Sequence, residues 1–162
     1  RYSMCGARIG CIISKNNDFI STAMKFAQAR LSPPTLAQIA STAAMDVGEE
    51  YFDSVINEYN ERRKTLIKGL NEIPGVKVSI PKGAFYCVVE LPVKNSENFA
   101  KWLLEDFSLN NETIMVAPAA GFYSSQNTGE NQVRIAYVLN QSDLKSCVNI
   151  LKNGLVEYLK ND

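Results

Sequence analysis

The sequence predicts an α/β chain: a small mixed sheet covered by helices, preceded by a segment that belongs to a larger domain. Three observations predict it. Residues 76–80 and 84–91 are strand-like runs separated by Pro81-Lys82-Gly83, the pattern of an antiparallel hairpin. Further strand-like runs at 113–117 and 132–139 alternate with helical stripes, so strands and helices share one core. Residues before Val47-Gly48-Glu49 offer one apolar strand and two helices, too little to close a core alone.

In chain order, residues 7–14 (Ala-Arg-Ile-Gly-Cys-Ile-Ile-Ser) are expected as a short strand buried on both faces. Asp18 is expected to cap a helix running towards Arg30. Ser32-Pro33-Pro34-Thr35 breaks that helix, and Pro34 or Thr35 opens the next, with Leu36, Ile39, Ala40 and Ala43 on one side. From Glu49, the residues Phe52, Val55, Tyr59, Leu66, Leu70 and Ile73 recur at helical spacing, while Glu58, Glu61, Arg62, Arg63 and Lys64 fall on other faces. Pro74-Gly75 stops this helix, placing it at 49–74 with a length of about 37 Å at about 1.5 Å per residue. Ser96 is expected to cap a helix carrying Phe99, Trp102, Leu103 and Phe107, and Pro118 closes the strand at 113–117. Asn140 or Ser142 caps the last helix, whose Leu144, Cys147, Val148, Leu151, Leu155 and Leu159 form one apolar stripe. The domain boundary is thus expected between 48 and 49, with 1–48 the tail of one domain and 49–162 a complete small one.

Composition removes several function classes. Lys plus Arg and Asp plus Glu are 17 each, which leaves no basic excess to grip nucleic acid or an anionic membrane. No apolar run approaches the roughly 20 residues that cross a bilayer. The opening Arg1-Tyr2-Ser3-Met4 is not a signal peptide. There is no histidine, which removes Ser-His-Asp and Cys-His catalysis within the chain and the commonest zinc ligand. Cys5, Cys11, Cys87 and Cys147 show no Cys-x-x-Cys spacing, so neither a metal site nor a disulfide framework is expected. Small buried thiols in a reducing cytoplasm are the expectation.

Two arginines sit where charge is costly. Arg8 lies inside the apolar stretch, two residues after Gly6, and needs an anionic partner or a wet cleft. Phosphate suits it, because a planar guanidinium fork matches phosphate oxygens and a glycine lets the ligand approach. A structural ion pair with a carboxylate is an equal reading. Arg134, in Val133-Arg134-Ile135-Ala136-Tyr137-Val138, shares a strand face with Ala136 and Val138. A carboxylate ligand at the rim of a small sheet fits that position, and so does a buried salt bridge.

The order of these segments resembles one family. Gly6-Ala7-Arg8-Ile9-Gly10 is similar to the stretch after the Schiff-base lysine in class I pyridoxal-phosphate aminotransferases of the aspartate aminotransferase type. Ser32-Pro33-Pro34-Thr35 with Gln38, the helix around Arg62-Arg63, the hairpin Pro81-Lys82-Gly83-Ala84-Phe85-Tyr86, Val116-Ala117-Pro118 with Gly121-Phe122, and Val133-Arg134-Ile135-Ala136-Tyr137 resemble later family segments in the same order. The resemblance covers nearly the whole chain. Three features depart from the pattern: the Schiff-base lysine is missing, Ala119 stands where glycine is usual, and the spacing to Arg30 is shorter than in the best-known members.

The resemblance implies the tail of the large cofactor domain through residue 48, followed by the small C-terminal α+β domain. It implies pyridoxal 5'-phosphate as cofactor, with Arg8 on its phosphate and Gly6 beside it, and Arg134 on the substrate α-carboxylate. Arg30 is the candidate for the distal carboxylate of an acidic substrate, acting across a homodimer; read on its own, it is a solvated cation at a helix end. The Schiff-base lysine would immediately precede Arg1, so no catalytic residue is expected in the chain and it is expected to be inactive alone. The implied reaction moves the amino group of an L-amino acid, aspartate first, to a 2-oxo acid. Alanine, aromatic or diaminopimelate specificity are the alternatives, and so is a non-catalytic folded or assembly domain.

Overall fold

The computed structural model describes residues 2–161. The chain divides into two compact units, one up to Val55 and one from Ile56.

The first unit contains a 3-10 turn at Cys5–Ala7, helix α1 at Asn17–Ala29, helix α2 at Thr35–Ala43, a 3-10 turn at Ala44–Asp46 and the start of helix α3, Glu49–Asn71. The cap of α1 is Asn16, whose side chain accepts from the Phe19 N–H at 3.0 Å, rather than Asp18. Asp18 lies in the first turn, where its charge complements the helix dipole. Pro34 directly precedes α2, and the Gln38 side-chain amide donates to the Pro33 carbonyl at 2.8 Å, fixing the bend between the helices.

The strand expected at 7–14 does not form. No other strand lies in this unit among the described residues, so its backbone groups have no ladder to join. The apolar side chains are correspondingly uncovered: Ile13 is 90% exposed, Leu36 82% and Phe26 73%, while Ala37 and Ala44 are the buried hydrophobic residues. The side of α2 that carries Leu36 and Ile39 thus faces outwards within this unit.

The second unit is a two-layer α+β structure. Its strands are β1 at Lys77–Val78, β2 at Tyr86–Glu90, β3 at Ala117–Pro118 and β4 at Gln132–Ala136, in the order β1-β2-β4-β3. The hairpin β1-β2 forms as expected. The sheet is antiparallel throughout rather than mixed. The reason lies in the order: β2 and β3, joined through a helix, run in the same direction, but β4 inserts between them and opposes both.

Alternation along the strands separates two faces. Cys87, Val89 and Val133 point into the core, against Leu66 and Leu70 of α3, Phe99 and Leu103 of helix α4 (Ser96–Glu105), and Leu144, Leu151 and Leu155 of helix α5 (Gln141–Asn161). Each such leucine contributes about 1.5–3 kcal/mol by leaving water. The other face is open, with Tyr86 and Val88 37% and 46% exposed.

Polar contacts lock α3 to the sheet. Arg63 donates to the Pro81 carbonyl at 2.8 Å and Arg62 to the Val138 carbonyl. The Tyr137 hydroxyl donates to the Ala84 carbonyl at 3.1 Å, and Ala84 turns the hairpin at φ 57.

The cap of α4 is Asn95, which accepts from the N–H groups of Glu97 and Asn98, both at 2.9 Å. Ser96, expected as the cap, is instead buried, and its hydroxyl has no partner among the described residues. Asn140 caps α5 as expected, accepting from the Asp143 N–H at 2.9 Å. Among the described residues, no helix is long and apolar enough to cross a membrane, and no cluster of metal-ligating side chains forms.

Candidate functional site

Arg134 occupies the centre of the open sheet face. The register places Val88 opposite it on β2 and Ala117 opposite it on β3, and pairs Tyr86 with Ala136. Tyr86 is therefore its diagonal neighbour on the same face. The small Ala117 and Ala136 leave room for the long side chain.

The guanidinium carbon lies 4.6 Å from the ring centroid of Tyr86 and 4.6 Å from that of Phe122. Phe122 comes from the 3-10 turn Ala120–Phe122 just after β3. Backbone bonds fix that turn: the Ala119 N–H donates to the Gln132 carbonyl at 2.8 Å and the Phe122 N–H to the Ala119 carbonyl at 3.0 Å. The next residue, Tyr123, donates its hydroxyl to the Gln132 side chain at 2.6 Å. Its ring packs on Gly129, which sits at φ +74, where a Cβ would be strained and would strike that ring.

The buried salt bridge open to Arg134 does not form. Among the described residues it has no carboxylate partner and no hydrogen bond. The carboxylate on the same face, Glu90, is held by Lys77 at 2.8 Å. Both ring contacts act on the cation through the aromatic faces, so the guanidinium's in-plane N–H donors are uncommitted.

Arg8, in the other unit, is exposed rather than embedded in an apolar strand. Its backbone is left-handed at φ 51, and its Nη1 donates to the Cys5 carbonyl at 3.2 Å. It has no acidic partner among the described residues, so the ion-pair reading is not realised among them. A Cβ placed at Gly6 or Gly10 would meet nothing within 4 Å, so the approach beside Arg8 is open. An unpaired, exposed guanidinium on a tight turn with open glycines has the donor chemistry an anionic oxygen group requires.

Arg30 follows the last residue of α1, and its N–H donates to the Ala27 carbonyl at 3.1 Å. It lines a shallow apolar depression of about 410 Å³ with Ile12, Phe19 and Phe26. Its charge sits at the negative end of the helix dipole.

The model of the family described as "Aminotransferase class I and II" matches residues 1–151. The chain belongs to that family. It is 30% identical over 158 residues to an aspartate aminotransferase from Pyrococcus horikoshii, covering 95% of this chain and 38% of that protein. It is 31% identical over 156 residues to a (5-formylfuran-3-yl)methyl phosphate transaminase from Methanocaldococcus jannaschii, covering 95% and 39%. The crystal structure of the aspartate aminotransferase from Rhizobium meliloti superposes with a TM-score of 0.74 at 25% identity, over 96% of this chain and 39% of that one. The chain therefore spans about two fifths of the length of the aminotransferases it matches.

Sequence reasoning singled out Arg8, Arg30 and Arg134 and missed the two rings against Arg134. Strand alternation was a usable signal for Tyr86, which lies two residues from Val88 on the open face. Phe122 carried no such signal, because its approach depends on β3 pairing with β4.

Proposed function

We propose that this chain is the substrate-carboxylate half of an aminotransferase, and that Arg134 is the residue that binds the α-carboxylate. The observation that carries this reading is the guanidinium on the open sheet face, held by two rings and with its N–H donors free. Two parallel N–H···O bonds to a carboxylate fix both the position and the orientation of the amino acid, which lowers the entropic part of the barrier.

Arg8, with Gly6 beside it, holds the phosphate of pyridoxal 5'-phosphate; its exposed, unpaired charge and the open space at Gly6 support this. When bound, that group supplies an electron sink for the charge left at the substrate Cα. The proton-moving lysine of the family pattern is not among these 162 residues, so they do not transaminate alone. Residues 1–48 are the tail of the cofactor domain and 49–162 the small domain. The uncovered Ile13, Phe26 and Leu36 support this, as surfaces the rest of a larger domain would bury. The parent protein is a cytoplasmic homodimer in this reading, with Arg30 directed at a distal carboxylate.

Aspartate is the first-choice donor and a 2-oxo acid the acceptor. Two relatives of nearly equal identity act on different substrates, which favours a second reading of the same chemistry with another amino acid, such as alanine, an aromatic residue or diaminopimelate. The test is the parent protein with pyridoxal phosphate, L-aspartate and 2-oxoglutarate, followed by the visible absorbance of bound cofactor and by amino-group transfer. Spectral change and transfer with aspartate support the first reading. A cofactor band that ignores aspartate but responds to another amino acid selects the second. A folded protein with no cofactor band leaves a non-catalytic domain.

A further inference from the structure

Arg134 poses a physical problem that the two rings address. An arginine side chain has large rotamer freedom, and a carboxylate anchor must present its fork in one orientation. A neighbouring Asp or Glu would hold it, but would use the N–H donors and cancel the charge that the substrate needs. The rings restrain the cation through their faces and leave its edge free.

We infer that Tyr86 and Phe122 are positioning residues that hold Arg134 ready for the substrate carboxylate. This rests on the reading of Arg134 given above. Phe122 is 59% exposed, so its ring is not spent on the core, yet its turn is fixed by two backbone hydrogen bonds to and from Ala119. Tyr86 is 37% exposed and reaches Arg134 by the diagonal of the β2-β4 register. Two rings from separate segments converge on one cation at the same 4.6 Å distance. In this arrangement the hydroxyl of Tyr86 is dispensable and its ring is not.

The experiment uses the full-length parent protein with its cofactor, and compares Phe122→Ala, Tyr86→Ala, Phe122→Tyr and Tyr86→Phe. Two quantities are read: the KM for the amino-acid substrate, and the inhibition constant of propionate as a bare carboxylate probe. Each alanine variant is expected to raise both by about two- to fivefold, with kcat changed less, as fits a cation–π contact at an exposed site. Phe122→Tyr and Tyr86→Phe keep a ring and are expected to stay at the parental values. In an Arg134→Ala background, the alanine substitutions are expected to add no further loss. Arg134→Ala raising both constants while the ring variants change neither would overturn the positioning role and leave the carboxylate site standing. Arg134→Ala leaving both constants unchanged would overturn the carboxylate site and the positioning role with it. Ring variants that weaken propionate equally with and without Arg134 would also overturn the inference, because the rings would then act by another route.

Discussion

Arg134 lies over the ring of Phe122, with 4.6 Å between the guanidinium carbon and the ring centroid, and a short turn and one strand pairing bring the two together. The contact restrains a charge without neutralising it. Lysine at 134 would keep the charge but lose the planar fork. In the parent protein, Arg134→Lys is expected to raise the KM for the amino acid by about tenfold or more, since a bidentate pair becomes a single contact. Steady-state kinetics read this directly, and an unchanged KM would remove Arg134 from the carboxylate site.

Arg8 can be tested by the chemical group it is assigned to. The parent protein should prefer pyridoxal phosphate over pyridoxal, which lacks the phosphate. In Arg8→Ala that preference is expected to shrink by about tenfold, the loss of one charge-assisted contact or more. Equilibrium dialysis with the two compounds measures it. A preference that survives intact would place the phosphate elsewhere.

Gly129 supports the turn from the far side of Tyr123. Its φ of +74 and the ring against it leave no room for a side chain. Gly129→Ala is expected to cost about 1–3 kcal/mol of stability through backbone strain, and to weaken propionate binding because the Tyr123 segment carries Phe122 next to it. Denaturant unfolding and inhibition by propionate check the two effects. Full retention of both would mean that the loop relaxes freely.

Cys87 links burial to alkaline stability. Burial pushes its thiol up from 9.0 to about 11. Below pH 9 the thiol is protonated in folded and unfolded chains alike, and the stabilisation is complete. Between about pH 9 and 11 the unfolded chain loses that proton and the folded one keeps it, so stability falls as pH rises, by up to about 3 kcal/mol. The difference in urea midpoints between the parent protein and Cys87→Val should therefore change between pH 8 and pH 10.5, and a constant difference would refute it. At pH 8 an alkylating reagent should label the exposed Cys5 and Cys11 within this chain while sparing Cys87.

The start of α4 separates two neighbouring residues by role. Asn95→Ala removes a cap accepting two N–H donors and should cost about 1 kcal/mol. Ser96→Ala removes a buried hydroxyl with no partner among the described residues, and should be neutral or stabilising. Thermal unfolding of the two variants distinguishes them, and the reverse order would make Ser96 the working cap.

The second unit was largely legible because its signals are local. The Phe99-Leu103 face, the Leu144-Leu151-Leu155 stripe and the break at Pro81-Lys82-Gly83 each report on neighbours a few residues away. At α1 and α4 the expected caps lie two residues and one residue past the observed ones, since Asn16 and Asp18, or Asn95 and Ser96, are chemically similar choices close together in the chain. Strands came out shorter than expected: β3 begins at Ala117 rather than 113, because pairing with β4 decides its length. The apolar run at 7–14 misled for the opposite reason. Its composition is that of a buried strand, and within this unit the described residues offer no strand for it to pair with. At the candidate site, Arg134 stood out in the sequence through its small and apolar strand neighbours, but its two ring contacts depended on tertiary pairing.

The bare side chains of the first unit have a consequence for handling the polypeptide. Ile13, Leu31, Leu36 and Phe26 stand 90%, 81%, 82% and 73% exposed, a display that soluble monomers avoid. Produced as this stretch alone, the polypeptide would tend to precipitate or be retained by chaperones that recognise greasy surfaces, and detergent or a solubilising fusion would raise its yield. Trimming it to begin within α3 would remove those residues while keeping every leucine of the second core, which makes that shorter piece the better behaved material for crystallisation or NMR.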